Sequence, residues 1–375
     1  MILNKKLSVT KMKEVIDLTK DLVRFESTHS KPQEIKRCFE FIKNELKNNG
    51  IKYRWIHHRK YPSLLVIPSN SFVPILLMTH IDVVDAPSHL FNPFEKEGKL
   101  YGRGSFDDKY AVALSMILLK NHLQYLQTQD KDQNDLPFGI LITSDEEIGG
   151  FGGAKKVLQE IKTDFCIALD GGCLEKMVVK EKGLVKLRLV SKVETDGNPR
   201  PWLGENAVEK LIDDFIKIRN CCVRSVPEHP HRAVNICRIR SGKPRNRVPE
   251  YAEALLDVRY TENDKMDRLI ETLKNELHSE LSIESIEPCF DKGPSPYLRL
   301  LLDTAENTSV GFEDDTNDAR FLSTYGIKGV VWGADGDRSQ HTLKEHVNIE
   351  SVYTLYHILN KFLKKGQTLT KIKKK

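Results

Sequence analysis

Residues 138–155 have the sequence FGILITSDEEIGGFGGAK, and this stretch indicates the fold class. A short apolar run is followed at once by three acids, Asp145, Glu146 and Glu147, and then by two glycine pairs. Short apolar runs bounded by turn residues are typical of buried strands. Open α/β sheets carry ligands and catalytic groups beyond the carboxyl ends of such strands. The stretch therefore predicts an α/β protein with a polar site after this strand.

Other apolar runs of the same kind lie at 63–69, 73–84 and 164–172. Stretches with a helical pattern, near 109–127 and 152–162, lie between the later runs. Apolar strands that alternate with helices favour an α/β domain whose sheet is buried and largely parallel or mixed.

The pattern changes near Lys182-Gly183. Residues 184–191 alternate apolar and polar side chains, which is typical of a half-exposed strand. The following elements have the order β-α-β-β-α, which favours a small α+β layer, and the α/β pattern returns after 294–296. The sequence therefore predicts a catalytic domain in two parts and an inserted smaller domain, with the boundaries 1–182, 183–294 and 295–375.

Composition excludes several classes of protein. The 375 residues carry 58 Lys+Arg against 53 Asp+Glu, an excess too small and too dispersed for a dedicated nucleic-acid binder. No apolar run approaches the roughly 20 residues of a membrane span, and the N-terminal residues lack a signal-peptide pattern. The seven cysteines are scattered and odd in number, as expected of thiols in a reducing compartment. We expect a cytoplasmic protein without nucleic-acid or membrane partners.

Histidines and acids cluster where the predicted strands end. His80 and Asp82 close one strand, Asp107-Asp108 begin a helix after the turn GRGSF, and Asp170 follows the strand FCIAL. Each group alone has an ordinary structural explanation, such as a hydrogen-bonded histidine, a helix cap or a turn. The acids 145–147 are harder to explain in that way, because three carboxylates after a buried strand repel one another unless a cation neutralises them.

A late segment adds His341 and Glu345, in the sequence QHTLKE. Taken together, the clusters supply two histidines and several carboxylates, a ligand set that suits zinc, cobalt or manganese. The carboxylates suffice for two metal ions that share a bridging aspartate, with one glutamate left as a base.

The order of these motifs resembles a known family. H-x-D, G-R-G-x-x-D-D-K, D-E-E-x-G, D-G-G and H-T-x-x-E follow one another as in the co-catalytic zinc peptidases and deacylases of metallopeptidase family 20. That family includes aminoacylase, carboxypeptidase G, acetylornithine deacetylase, succinyl-diaminopimelate desuccinylase and the carnosinase-like dipeptidases. The resemblance extends from about residue 12 to residue 364. It implies a mixed-sheet α/β zinc-hydrolase domain with an inserted α+β lid, through which the chain would form a homodimer.

The resemblance also implies a role for each motif residue. It implies that His80 and Asp170 bind one metal ion, that Glu147 and His341 bind a second, and that Asp107 bridges both. The ions would be zinc, with cobalt or manganese as alternatives.

Two further roles follow from the same resemblance. Asp82 would orient the first histidine ligand, and Glu146 would be the general base. The segments PRNRVPEYAEALLDVR and NDARF resemble family segments that contact substrate. They mark Asn246, Arg259 and Arg320 as candidate substrate contacts, with Arg320 suited to a carboxylate.

One position departs from the family pattern. The lid usually carries a histidine that stabilises the oxyanion, and here Gly197 takes its place in 196–207. Loss of one such donor typically costs about 10²–10³ in rate. Another residue supplies the donor, the substrate class differs, or the chain is a silent homologue. The candidate donors are Asp196, Asn198, His229 and His231.

Two details favour small peptides as substrates. The D-D-K sequence resembles the dipeptidases, and an aspartate at position 170 tends in this family to accompany substrates with a free amino terminus. The length of the chain instead suits the N-acyl-amino-acid deacylases, which are the alternative. A catalytically silent, ligand-binding homologue is the third hypothesis.

Overall fold

The structure is a computed structural model of the chain. It describes residues 2–58, 60–68, 72–194, 204–222, 232–242, 248–314 and 316–373. Its helices are α1 Ile2–Val23, α2 Pro32–Asn48, α3 Lys109–Gln127, α4 Ala154–Glu160, α5 Ala207–Cys222, α6 Met266–Glu276, α7 Pro296–Leu302, α8 Arg320–Thr324 and α9 Ile349–Lys373. Its strands are β1 Arg54–His58, β2 Tyr61–Val66, β3 Phe72–His80, β4 Phe94–Lys96, β5 Lys99–Tyr101, β6 Phe138–Thr143, β7 Lys162–Ala168, β8 Lys176–Glu181, β9 Gly183–Lys192, β10 Ala233–Ser241, β11 Tyr251–Tyr260, β12 Glu280–Glu287, β13 Phe290–Asp291, β14 Ser309–Glu313, β15 Gly329–Val331 and β16 His346–Asn348.

The chain divides into two compact units. The large unit contains the residues up to Lys180, Asp291–Glu313 and the residues from Asn317 onward. The small unit contains Glu181–Phe290 together with Asp314–Thr316. That the small unit is an independent domain bounded at 183 and 294 stays a prediction.

A mixed sheet forms the centre of the large unit, with the strand order β1-β2-β6-β3-β7-β15-β8-β13 and with β14 beside β8. Strands β3, β6, β7 and β15 run parallel, β2 runs antiparallel to β1 and β6, and β8 runs antiparallel to β15. The predicted mixed α/β class is confirmed. Because β3 and β6 are buried along nearly their whole length, both are almost continuously apolar.

The parallel register brings three strand ends to one edge of this sheet. His80, the last residue of β3, lies opposite Thr143, the last residue of β6. Met78 of β3 lies opposite Ala168, where β7 ends. The loops that carry the acids of 145–147 and Asp170 therefore begin beside His80.

Helices cover the sheet with apolar stripes. In α2 the stripe is Ile35, Phe39, Ile42 and Leu46, all buried, at the three- and four-residue spacing of a helical face. Helix α3 is buried on nearly every side in its first two turns, since it packs in the main core. No helix in the described ranges is both long and apolar enough to cross a membrane.

The small unit has its own sheet, with the strand order β10-β11-β9-β12 and antiparallel pairing throughout. Val185, Leu187 and Leu189 of β9 are buried, while Arg188 is exposed. The buried side chains join apolar residues of α5 and α6 in a separate core. The alternation in the sequence thus marks a sheet covered on one face.

Candidate metal centre

The predicted metal ligands lie together in the large unit. Nε2 of His80 lies 3.0 Å from Oδ1 of Asp107 and 3.7 Å from Oδ2 of Asp170. Nε2 of His341 lies 3.0 Å from Oδ2 of Asp107 and 3.2 Å from Oε2 of Glu147. Each oxygen of Asp107 therefore faces a different histidine, the arrangement that a bridging carboxylate requires.

Among the residues that the structure describes, two groups of three side chains have ligand atoms close enough to hold a cation. In each, the ligand atoms lie within 4.8 Å of one another. The groups are His80 with Glu146 and Asp170, and Asp107 with Glu147 and His341.

The donor set fits divalent metal ions. His80 is 1% exposed, and its Nε2 lies 3.0 Å from Oδ1 of Asp107 without the geometry of a hydrogen bond to any described residue. A buried ring nitrogen aimed at carboxylates without a hydrogen bond matches a metal ligand better than a structural histidine. Nitrogen and oxygen donors without cysteine suit zinc, cobalt and manganese alike.

Electrostatics also favour bound cations here. Burial, and next the charge of Asp107, raise the pKa of Asp170 to about 8. Burial and the charge of Asp170 likewise raise the pKa of Glu146 well above its usual value. Contacts with Asp107 and Glu147 raise the pKa of His341 to about 10. The carboxylates thus repel one another strongly, and a divalent cation between them would relieve that repulsion.

Asp82 connects His80 to the acidic turn 145–147. Nδ1 of His80 lies 3.0 Å from the main-chain carbonyl of Asp82 and 3.4 Å from its Oδ1. The carboxylate of Asp82 accepts the main-chain N–H groups of Glu146 (3.3 Å) and Glu147 (3.1 Å). The residue therefore contacts the first histidine and also fixes the backbone of the acidic turn, a role that the sequence did not suggest.

His29 is a further residue of the site that sequence analysis missed. Its Nε2 lies 3.0 Å from Oδ2 of Asp82, and its side chain is a quarter exposed. It lies in the loop between α1 and α2, where no motif marks it. Spacing in the sequence could not have identified it.

Glu345 holds the loop that carries Asp107 in place through hydrogen bonds. Its Oε1 accepts the main-chain N–H groups of Gly104 (2.8 Å), Phe106 (3.3 Å) and Asp107 (3.2 Å). Its other oxygen pairs with Arg103. The last acid of the H-T-x-x-E motif is thus a positioning group, and it is almost wholly buried.

The remaining motif acids have structural partners. Asp108 is buried, and its Oδ2 accepts the main-chain N–H of His80 (3.3 Å). Oδ2 of Asp145 accepts the N–H groups of Gly152 (2.8 Å) and Gly153 (3.0 Å). Of the acidic pair and the acidic triplet, one member in each case therefore organises the backbone.

The predicted substrate contacts, unlike the predicted metal ligands, do not lie in one cluster of described residues. Arg320 is 2% exposed, and its guanidinium donates to the carbonyls of Gly149 (2.8 Å) and Asn317 and lies over the Phe321 ring. Through these contacts Arg320 positions the backbone near 149 and 317, and its role as a contact for a substrate carboxylate stays a prediction.

Arg259 lies on β11 in the small unit. There it donates to the carbonyl of Asp314 and to Oγ1 of Thr316 (3.3 Å). Asn246, Gly197 and the four candidate donors lie outside the described residues.

Comparison with known proteins agrees with this geometry. A model of the peptidase family M20/M25/M40 matches residues 76–365, most of the chain. The chain belongs to the M20/M25/M40 family. The predicted family resemblance is thereby confirmed, and as a member of this family the chain is a metallohydrolase.

Relatives of this M20 protein match over nearly its full length. A succinyl-diaminopimelate desuccinylase from Rickettsia bellii (strain OSU 85-389) is 25% identical over 94% of this chain and 96% of its own. A tripeptidase structure from Staphylococcus aureus subsp. aureus Mu50 superposes with a TM-score of 0.76 at 19% identity, covering 95% and 99% of the two chains. The structure of a dinuclear metal-binding peptidase of the M20 family from Bacillus subtilis superposes with a TM-score of 0.62 at 14% identity. The match covers 94% of this chain and 98% of that chain. The likeness to both structures confirms the predicted fold of the M20 protein, a mixed α/β peptidase fold.

Proposed function

We propose that this M20 metallohydrolase cleaves the amide bond of small peptides, as a dipeptidase or an aminopeptidase-like enzyme. The observation that carries the proposal is the pair of three-residue ligand groups with Asp107 between two histidines. We assign His80 and Asp170 to one ion, Glu147 and His341 to a second, and Asp107 to both. Zinc is our first choice, with cobalt or manganese as alternatives.

The residues divide the chemistry between them. Bound divalent ions would lower the pKa of a shared water toward neutrality and polarise the substrate carbonyl. Glu146 would accept the proton of the attacking water and deliver it to the leaving nitrogen. Asp82 would hold the turn that carries Glu146, because its carboxylate accepts the amide N–H of that residue. We retain Asn246, Arg259 and Arg320 as candidate substrate contacts.

We favour peptides over acylated amino acids as substrates because of Asp170. In this family, an aspartate at that position tends to accompany substrates with a free amino terminus. A deacylase is the second candidate, supported by the relative named succinyl-diaminopimelate desuccinylase. A silent ligand-binding homologue is the third, motivated by Gly197. We also propose a homodimer formed through the small unit and a cytoplasmic location.

The deciding experiment compares matched substrates. Protein reconstituted separately with zinc, cobalt and manganese is assayed on dipeptides and on the same dipeptides N-acylated. Cleavage of the free set supports the peptidase, and cleavage of the acylated set alone supports the deacylase. Bound metal at about two ions per chain without turnover on either set would favour the silent homologue.

A further inference from the structure

A cavity of about 340 Å³ opens in the large unit, beside the three-stranded sheet β16-β5-β4. Tyr101 of β5 lies opposite Phe94 of β4, and the side chains of both residues line the cavity. Leu100, the residue before Tyr101, points to the other face of this sheet and is buried in the main core. The cavity, called here the outer groove, therefore lies on the face turned away from the core. Its wall includes His89, Phe94, Lys96, Tyr101, Leu343 and Lys344.

The outer groove is distinct from the candidate metal centre. Its described wall contains none of the proposed metal ligands and does not include Glu146. It shares Glu345 with the surroundings of that centre, but this carboxylate is already engaged by Arg103 and by main-chain N–H groups of 104–107. Small-molecule sites typically have volumes of roughly 300–1,000 Å³, so the outer groove suits a ligand with a single ring.

Apolar side chains form the floor of the outer groove. The rings of Phe94 and Tyr101 stack, with their centroids 5.0 Å apart and their planes 7° from parallel. Phe94 is nevertheless 54% exposed, and Leu343 is 66% exposed. Large apolar side chains that stay exposed and line one cavity indicate a binding site for an apolar group. The flat aromatic surface favours an aromatic ring, which can stack on it.

Two ammonium groups border this floor. Lys96 and Lys344 are both exposed and line the outer groove. Among the described residues, Lys344 has no ion-pair partner, and Lys96 has only Glu97, whose Oε1 lies 3.7 Å from its Nζ. A contact of that kind between exposed groups is weak and leaves the lysine able to bind another anion. The outer groove thus combines an apolar floor with positive charge at its border.

We propose that the outer groove binds a small aromatic carboxylate, at a site separate from the metal centre. The ring of the ligand would cover Phe94 and Leu343 and remove their apolar surface from water. Its carboxylate would face the ammonium groups of Lys96 and Lys344. The proposal does not depend on the reaction that the metal centre catalyses.

Charge distinguishes this ligand from related compounds with the same ring. A neutral alcohol gains the apolar contacts but no ion pair. A free aromatic amino acid carries an ammonium group next to its carboxylate, and that group is repelled by the two lysines. The outer groove should therefore prefer the simple acid to both compounds.

The test is isothermal titration calorimetry on the zinc-loaded, full-length protein with three probes. The probes are 3-phenylpropionate, the corresponding alcohol 3-phenylpropan-1-ol, and phenylalanine. We expect the acid to bind about 3- to 10-fold more tightly than either of the others, as is usual for pairing between exposed charges. Equal or tighter binding of the alcohol or of phenylalanine would overturn the proposal.

Substitutions in the outer groove locate the bound acid. Phe94→Ala should weaken its binding about 10-fold, because the stacking surface is lost. Leu343→Ala is the second variant, since a side chain that is 66% exposed contributes little to folding, and a loss of about threefold or more is expected. Lys344→Gln should weaken binding of the acid and leave that of the alcohol unchanged.

Two matched controls lie outside the outer groove. Tyr125 is 56% exposed on α3, and Lys162 is exposed at the start of β7. Tyr125→Ala and Lys162→Gln should each leave the affinity for the acid unchanged. If the acid instead binds zinc at the metal centre, the groove variants will bind it as tightly as the parent, and the proposal is wrong.

A second copy of the chain is the other possible occupant of the outer groove. If none of the probes binds, the proposal fails, and sedimentation of Leu343→Asp then shows whether the groove is an interface between copies. Loss of an oligomer in that variant would assign the apolar floor to such an interface.

Discussion

Arg103 and Glu345 form an ion pair whose side chains are 3% and 1% exposed. Nη2 of Arg103 also donates to the carbonyl of Thr342 (3.3 Å), next to His341. The pair therefore joins the loop that carries one candidate metal ligand, Asp107, to the loop that carries another.

Glu345→Gln should weaken metal binding about 10- to 100-fold, as is usual when a group that orients metal ligands is removed. Breaking a buried pair should also cost about 3–5 kcal/mol of unfolding free energy. Titration of the apoprotein with zinc, together with chemical unfolding, measures both effects. Lys344→Gln, at an exposed neighbouring position, is the control and should change neither. Unaltered zinc affinity in Glu345→Gln would show that the pair does not position the ligands.

Glu146→Ala should lower kcat by about 10²–10⁴-fold, the usual contribution of a general base, while the protein keeps its metal ions. Metal content is determined by elemental analysis on the same sample used for kinetics. Loss of one ion together with activity would instead make Glu146 a ligand, since it forms a possible ligand group with His80 and Asp170.

His29→Ala should reduce activity about 10-fold, because the Asp82 carboxylate loses the imidazole that holds one of its oxygens. Steady-state kinetics at saturating zinc separates this effect from weaker metal binding. His89→Ala changes an exposed histidine and should leave the rate unaltered. An equal effect of the two substitutions would contradict the assignment of His29 to the site.

Gly150→Ala should inactivate the enzyme, whereas Gly50→Ala should not. Both glycines have positive φ, +60° and +68°, so both substitutions carry backbone strain of about 1–2 kcal/mol. A Cβ at Gly150 would lie 1.8 Å from Oδ1 of Asp318, while none of the described atoms lies within 4 Å of one at Gly50. Activity and thermal unfolding of the two variants isolate the steric effect, and similar activities would show that the turn can shift.

Asp214→Ala should destabilise the protein by about 2 kcal/mol at pH 7. Burial by itself would raise the pKa of Asp214. Hydrogen bonds from Lys217 and from the main-chain N–H groups of 278–279 outweigh burial, so the pKa is lowered. The contribution is therefore present above the ordinary carboxyl pKa and is lost as pH falls through the lowered one. Urea unfolding of both proteins at pH 7 and in strong acid should show the difference shrinking. A difference that persists in acid would exclude the charge as its cause.

Sequence patterns predicted the features that depend on long apolar strands and on motif order. The α/β class and the clustering of His80 with the acids of 145–147 follow from parallel strand ends that share an edge. The short strands β4, β5 and β16 were not predicted, since three residues carry no periodicity. The attachment of Asp314–Thr316 to the small unit also escaped prediction, because it depends on contacts with residues distant in sequence.

At the site, the direction of the side chains was the feature that the sequence could predict least. The motif NDARF predicts that Arg320 contacts a substrate, but it could not show that the guanidinium also donates to the carbonyls of Gly149 and Asn317. Similarly, spacing could not show that the Asp82 carboxylate would bond amide groups of another loop. Such contacts are fixed by packing between segments, and a single sequence does not record them.

The order in which the candidate metal ligands occur along the chain has a consequence for biosynthesis. His80, Asp107, Glu147 and Asp170 precede the small unit, whereas His341 and Glu345 follow it. During translation the N-terminal part emerges first. The candidate acidic ligands therefore exist for a time without His341 and without Glu345, which holds the loop of Asp107. A ribosome-bound or truncated chain that ends before residue 341 therefore cannot complete the second ligand group. Binding of the second metal ion should therefore accompany the final stage of synthesis, and incomplete chains should remain without hydrolytic activity.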